Sequence, residues 1–117
     1  MEVKSINAAE KLETSEGIMT PLIFGENLCL FHLEIPPNFD IPPHGHSGEG
    51  VLYCLEGEFE VTSENKNTTL MSGTAVFVGQ NESIGIKNSS DRSVKALLIS
   101  SPPPVKSIEG LKKILNQ

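Results

Sequence analysis

From residue 17 onward the chain alternates short runs of apolar and β-branched residues with clusters of Gly, Pro, Asn, Asp and Ser, the pattern of many short strands joined by turns. Residues 21–24 read as a short strand, 25–27 as a turn and 28–35 as a longer strand, so the first two strands are expected to form a hairpin. Within 28–35 a period of two sets Cys29, Phe31, Leu33 and Ile35 on one face and Leu28, Leu30, His32 and Glu34 on the other. Pro36 and Pro37 end that strand, and Pro42 and Pro43 interrupt again before His44, because proline supplies no ladder N–H; the approach to His44 is therefore extended and stiff. Residues 51–56 form the next strand, Gly57 interrupts it, and 59–62 resume with strict alternation. Beyond the polar turn at 63–67 come four further strands at 68–71, 75–78, 84–87 and 94–100. Strands spaced so regularly predict an all-β sandwich or barrel. At the N-terminus, residues 8–12 predict one helical turn capped by Asn7. At the other end Pro102, Pro103 and Pro104 break the last strand, and Ser107 caps a short helix in which Ile108, Leu111 and Leu115 share a face.

Length turns this pattern into a single domain, since 117 residues bury one core and no second. The expected parts are an arm over 1–19, a barrel over 20–103 and a helical tail over 104–117 packed on the barrel or on a partner. The charge of −6, from 15 acids against 9 bases without a basic block, excludes a nucleic-acid partner, because neutralising phosphates needs clustered Lys and Arg. No apolar run reaches the roughly 20 residues needed to cross a bilayer, and the polar first residues do not resemble a secretory signal, so a cytoplasmic location is expected. Cys29 and Cys54 lie inside apolar runs and read as small buried hydrophobes.

Candidate chemistry concentrates between Pro36 and Glu60. His44 and His46 are one residue apart, a spacing that puts both imidazoles on one side of an extended strand and lets them converge on one ion. Cys54 is at an even offset from Gly50 and faces the same side.

These residues and their surroundings resemble a small single-domain cupin over roughly 20–103. The family's first motif is a glycine, five residues, His-x-His, three or four residues, a glutamate, six residues and a glycine. Here Asn38 stands at the leading glycine, His44 and His46 match, Gly50 occupies the glutamate position and Gly57 closes the motif. In the second motif Gly73 and Asn88 match, while Gly79 replaces a proline, Asn81 a glycine and Ile84 the histidine. The resemblance implies a double-stranded β-helix or jelly-roll barrel with a short C-terminal helix. It also implies a site for a divalent transition metal (Fe, Mn, Ni or Zn) on His44 and His46, of whose four usual ligands two are replaced. Glu49 completes such a site only if a β-bulge at Gly48 or Gly50 turns it inward. His32 either reaches the cavity as a third imidazole or sits on the outer surface, the reading its alternation favours. With ligands missing, water would fill several positions, an arrangement suited to catalysis or exchangeable binding.

Two functions compete on these grounds. The first is a binding module whose cavity, walled by Leu52, Cys54, Ile84 and Ile86 with the histidines near its mouth, holds a small and partly apolar molecule. The second, implied by resemblance, is an enzyme: a metal-dependent dioxygenase or isomerase, or a metal-free catalyst in which His44 or His46 moves protons. An interaction protein with a vestigial cavity is a third reading. The resemblance further implies a homodimer, with Val51, Tyr53 and Leu55 on an outward apolar face.

Overall fold

The computed structural model describes residues 1–45, 47–64 and 66–115. Among the described residues ten strands and one α-helix follow in order: β1 (Leu12–Thr14), β2 (Gly17–Phe24), β3 (Cys29–Ile35), β4 (Phe39–Gly45), β5 (Glu49–Glu56), β6 (Glu58–Ser63), β7 (Lys66–Met71), β8 (Ala75–Val78), β9 (Ser83–Asn88), β10 (Val94–Ser101) and α1 (Ile108–Leu115). They form two antiparallel sheets, a six-stranded one in the order β1-β2-β3-β10-β5-β8 and a four-stranded one in the order β4-β9-β6-β7. The sequence pattern anticipates eight of these strands.

β4 is the strand that the prolines conceal. It survives Pro42 and Pro43 because it lies at the edge of its sheet, where ladder donors are needed on one side only, and because the register slips between Ile41 and His44. Residues 1–19, expected as an arm, contribute β1 and the start of β2 to the larger sheet, and the expected helical turn at 8–12 is instead a single 3-10 turn at Ile6–Ala8 capped by Ser5. The C-terminal helix follows the expectation closely: the Ser107 hydroxyl accepts the Gly110 N–H at 3.0 Å, and Leu111 is buried.

The core lies between the two sheets. From the larger one Phe31, Leu33, Ile35, Leu52, Cys54, Val94 and Ala96 point inward, and from the smaller one Ile41, Phe59, Val61, Leu70, Ile84 and Ile86 meet them; all are buried. Phe24 and Phe31 add an edge-to-face ring contact with centroids 5.8 Å apart. Part of the opposite face of the larger sheet is apolar as well. Cross-strand register lines up Leu30, Ile99, Val51 and Phe77 in one row across four strands, and Phe77 is 61% exposed.

One end of the sandwich is closed by a buried side chain. The Asn88 amide donates to the carbonyls of Ile35 (3.1 Å), Pro36 (3.0 Å) and Arg92 (2.8 Å), and its oxygen accepts from the Ser90 N–H and hydroxyl. With no exposed surface, Asn88 ties the end of β9 to the exits of β3 and the entry of β10. Lys112 in α1 bonds Glu10 at 2.6 Å, joining the two chain ends outside the sheets.

Candidate functional site

His44 owes its direction to the irregularity in β4. Ile41 pairs with Ile86 and His44 with Ile84, so three steps on β4 match two on β9 and both residues come to the same face. Gly85 permits this bulge: a Cβ there would lie 2.9 Å from the Ile41 carbonyl and 3.0 Å from the Pro43 nitrogen. The imidazole is then held at both nitrogens. Nδ1 lies 3.1 Å from the Pro42 carbonyl, and Nε2 lies 3.0 Å from Oε1 of Glu16 in the β1–β2 turn. A carbonyl only accepts, so Nδ1 carries the hydrogen of that contact. Glu16 is placed with similar care. Its N–H donates to the Thr14 hydroxyl (2.9 Å), which donates to the Gly17 carbonyl (2.9 Å), and Gly17 adopts φ +99° where β2 presses on the Glu34 carbonyl.

Beside this pair, across β9, the two sheets leave a cavity of about 70 Å³. Its walls include Val78, Ile84 and Leu98, with Ser47, Glu49, Gly50 and Ser100 among the residues that complete the lining. That is several times the space one water requires and far below a drug-sized pocket, which sets the scale of an occupant at a few heavy atoms. Of the four expected walls only Ile84 lines it. Leu52, Cys54 and Ile86 are packed into the core, because the inner faces meet directly at their level. Gly50 faces the cavity side, paired with Ser100, yet a Cβ there would lie 2.9 Å from the Ile99 carbonyl. β5 therefore approaches β10 too closely for a larger residue.

The Cupin domain model matches residues 31–100, more than half of the chain. The chain belongs to the cupin family. A search of curated proteins finds no match. Among solved structures, an RmlC-like cupin from Shewanella frigidimarina superposes with a TM-score of 0.80 at 20% identity, over 89% of this chain and 93% of that one. KdgF from a Halomonas species superposes with 0.80 at 16% identity, over 87% and 95%. The polyketide cyclase RemF from Streptomyces resistomycificus gives 0.77 at 21%, over 92% and 85%. At these identities the likeness is one of fold.

The cupin turn positions persist in this chain by backbone geometry. Gly57 and Gly73 adopt φ of +88° and +86°, and Asn38 and Asn81, which stand where the cupin motifs carry glycine, adopt +56° and +66°. Asparagine is among the side chains that tolerate this left-handed region, so the exchange keeps the turns. The turn at Asn81 is further fixed by Glu82, which accepts from the Ser63 hydroxyl (2.7 Å) and the Gly79 N–H (3.0 Å); these two donors hold its carboxyl below the usual carboxylate range.

The usual cupin metal ligands, by contrast, do not fit. Among the described residues no group of three or more His, Cys, Asp or Glu side chains forms an ion-binding cluster. Gly50 and Ile84 offer no donor side chain. Glu49 stays exposed on the face opposite Gly50, since the β5–β10 register runs without a slip from Glu49 to Cys54; the bulge that would turn it inward is not made. His32 shares the outer face with Leu97 and Tyr53, so it does not reach the cavity, and it is buried there beside Thr20 rather than exposed. That burial, helped by Lys95, lowers its proton affinity. Burial raises the thiol pKa of Cys29 and Cys54 and keeps both protonated; the Cys54 thiol donates to the Gly57 carbonyl at 3.3 Å. His46 lies outside the described residues. Glu16 is the partner that sequence reasoning missed. It is 28 positions from His44, and only the hairpin geometry brings it within 3.0 Å.

Proposed function

We propose that this cupin domain binds a small organic molecule in the cavity between Ser100 and Ile84. The observation that carries this reading is the cavity itself: apolar walls at Val78, Ile84 and Leu98, polar residues Ser47, Glu49 and Ser100 at its lining, and His44 paired across the ladder with the wall residue Ile84. The small volume points to a compact and partly apolar ligand, such as a short-chain acid or alcohol. A thermal-shift screen of such compounds tests it, run on the wild type and on Val78→Phe, whose ring fills the space. A compound that raises the wild-type melting temperature and leaves the variant unmoved supports the reading; equal shifts in both, or none in either, overturns it.

We propose further that the partner is a second copy of the chain. The outward row of Leu30, Ile99, Val51 and Phe77, flanked by Tyr53 and Leu55, supports a sheet-to-sheet homodimer, since these half-covered apolar side chains gain most by being buried together. Light scattering across a concentration series should give a dimer mass that Phe77→Glu lowers toward 12.7 kDa. A monomer at every concentration would refute it.

A further inference from the structure

The sandwich closes differently on the two sides of the cavity. Where β5 begins and β10 ends, the chains press together. A Cβ at Gly48 would lie 2.5 Å from the Ser101 carbonyl and 2.8 Å from Cδ of Pro102, so not even a methyl group fits between them. On the side of Val78 and Ile84 the sheets are parted. β8 ends the larger sheet and β7 the smaller one, and no ladder joins the two among the described residues. Along that gap runs a groove of about 470 Å³, floored by Val61, Val76, Val78 and Ile84. Val78 and Ile84 also wall the cavity, so these two side chains stand between it and the groove.

We infer that a ligand enters the cavity from this groove, that the end of β8 at Val78 and Gly79 is the gate, and that Glu82 is the latch that holds it shut. This deepens the proposal that the cavity binds a small molecule and rests on it.

The manner in which β8 is held supports the assignment. The strand has four residues and one neighbour, β5, with which it pairs from Tyr53 and Ala75 to Gly50 and Val78. A short strand bonded on one side opens at a smaller cost than the strands inside a sheet. Its two ends are secured differently. At the start, the Gly73 N–H donates to the Cys54 carbonyl and the Cys54 N–H to the Thr74 carbonyl, both at 2.9 Å, which makes this the fixed end. Past the other end the hold comes from a side chain. Glu82 accepts from the Gly79 N–H at 3.0 Å through Oε1 and from the Ser63 hydroxyl at 2.7 Å through Oε2.

Gly79 follows β8 of the larger sheet and Ser63 ends β6 of the smaller one, so a single carboxylate spans the open side of the sandwich. The Ser63 and Gly79 donors, with Lys66 adding to them, keep that carboxylate ionised, and bonds to a charged acceptor are stronger than those to a neutral one. Opening breaks these two bonds and the pairing of Val78 with Gly50, while the β5–β10 and β6–β9 ladders behind the gate stay intact. The motion therefore leaves the core assembled.

The test places a thiol inside the cavity and times its modification. Leu98→Cys puts one on a wall of the cavity that is not part of the groove. The probe is methyl methanethiosulfonate, a small neutral reagent, and peptide mass spectrometry reads each cysteine separately. Buried Cys29 and Cys54 report any general loosening of the same molecules. Melting curves confirm that each variant folds. With Glu82→Ala added, the introduced thiol should react about tenfold faster or more, and with Ser63→Ala, which removes one of the two bonds, about threefold faster. Cys29 and Cys54 should keep their rates. Pro104→Gly, at the opposite end of the cavity, should leave every rate unchanged. The inference is overturned if neither latch variant speeds the reaction, if Cys29 and Cys54 accelerate equally, or if Pro104→Gly is the change that opens the cavity. It is also overturned if the thiol reacts at the rate of a free thiol with the latch intact. The thermal-shift screen tests the cavity reading separately, and an empty screen overturns that reading whatever the thiol shows.

Discussion

The end of the sandwich at Asn88 and the cavity around Gly50 and Ser100 share β9 and β10 and differ in what holds them. At the first, one buried amide answers three carbonyls and two donors from Ser90, so every polar group has a partner and the elements are locked. At the second, glycines, serines, prolines and branched aliphatics line the space together with Glu49, and about 70 Å³ stays unfilled. The first is an architectural joint in which the side chain serves the backbone. The second is a place where side chains can change without altering the path of the chain. That difference explains how the cupin turns persist through Asn38, Gly57, Gly73, Asn81 and Asn88 while Gly50 and Ile84 have replaced ligand positions.

The largest effect should come from breaking the joint. Asn88→Ala leaves the Ile35, Pro36 and Arg92 carbonyls without their donor and should cost about 3–5 kcal/mol by urea denaturation. A loss below about 1 kcal/mol would mean that water replaces the amide freely. Restoring the motif acid at the other region is the sharper contrast. Gly50→Glu, which brings back a motif residue, should destabilise by about 2–3 kcal/mol, because its Cβ meets the Ile99 carbonyl at 2.9 Å. An unchanged midpoint would show that β5 and β10 separate easily.

Acidification separates the two faces of the larger sheet. His32 has a folded-state pKa below its unfolded value, so the unfolded chain takes up the proton first. Its contribution to stability is complete above the ordinary histidine range and is lost as pH falls from about 6.5 toward the lowered folded value. The burial of the ring is the main cause, with Lys95 and Lys11 adding to it and Glu34 opposing. Melting temperature should drop across that window in the wild type and drop less in His32→Gln; parallel curves would remove His32 from the account. The smallest effect belongs to the turns. Asn38→Gly should change stability by no more than about 0.5 kcal/mol, since both residues accept φ +56°, whereas Asn38→Val should cost about 1–2 kcal/mol.

Much of this was legible along the chain. Period-two alternation placed Phe31, Leu33 and Ile35 on the core face, and Leu52 and Cys54 with them, and the Ser107 cap located the last helix. Prolines misdirected the reading of β4, because a local rule about missing donors does not reveal that the strand lies at an edge with a bulge. The cavity walls were misplaced for a related reason. Alternation tells which face a residue shares but not how far along the strand the two sheets part, so Leu52 and Ile86 were expected beside a cavity and are packed in the core.

By itself, then, the amino-acid sequence determined the family, the strand faces, the turns and the replacement of two ligand positions, all properties of short windows with a fixed period or a fixed spacing. Only the tertiary structure decided that Glu49 faces away, that His32 is buried on the outer face, and that Glu16 meets His44. Those outcomes depend on register and on the approach of segments distant along the chain, and no local periodicity encodes either.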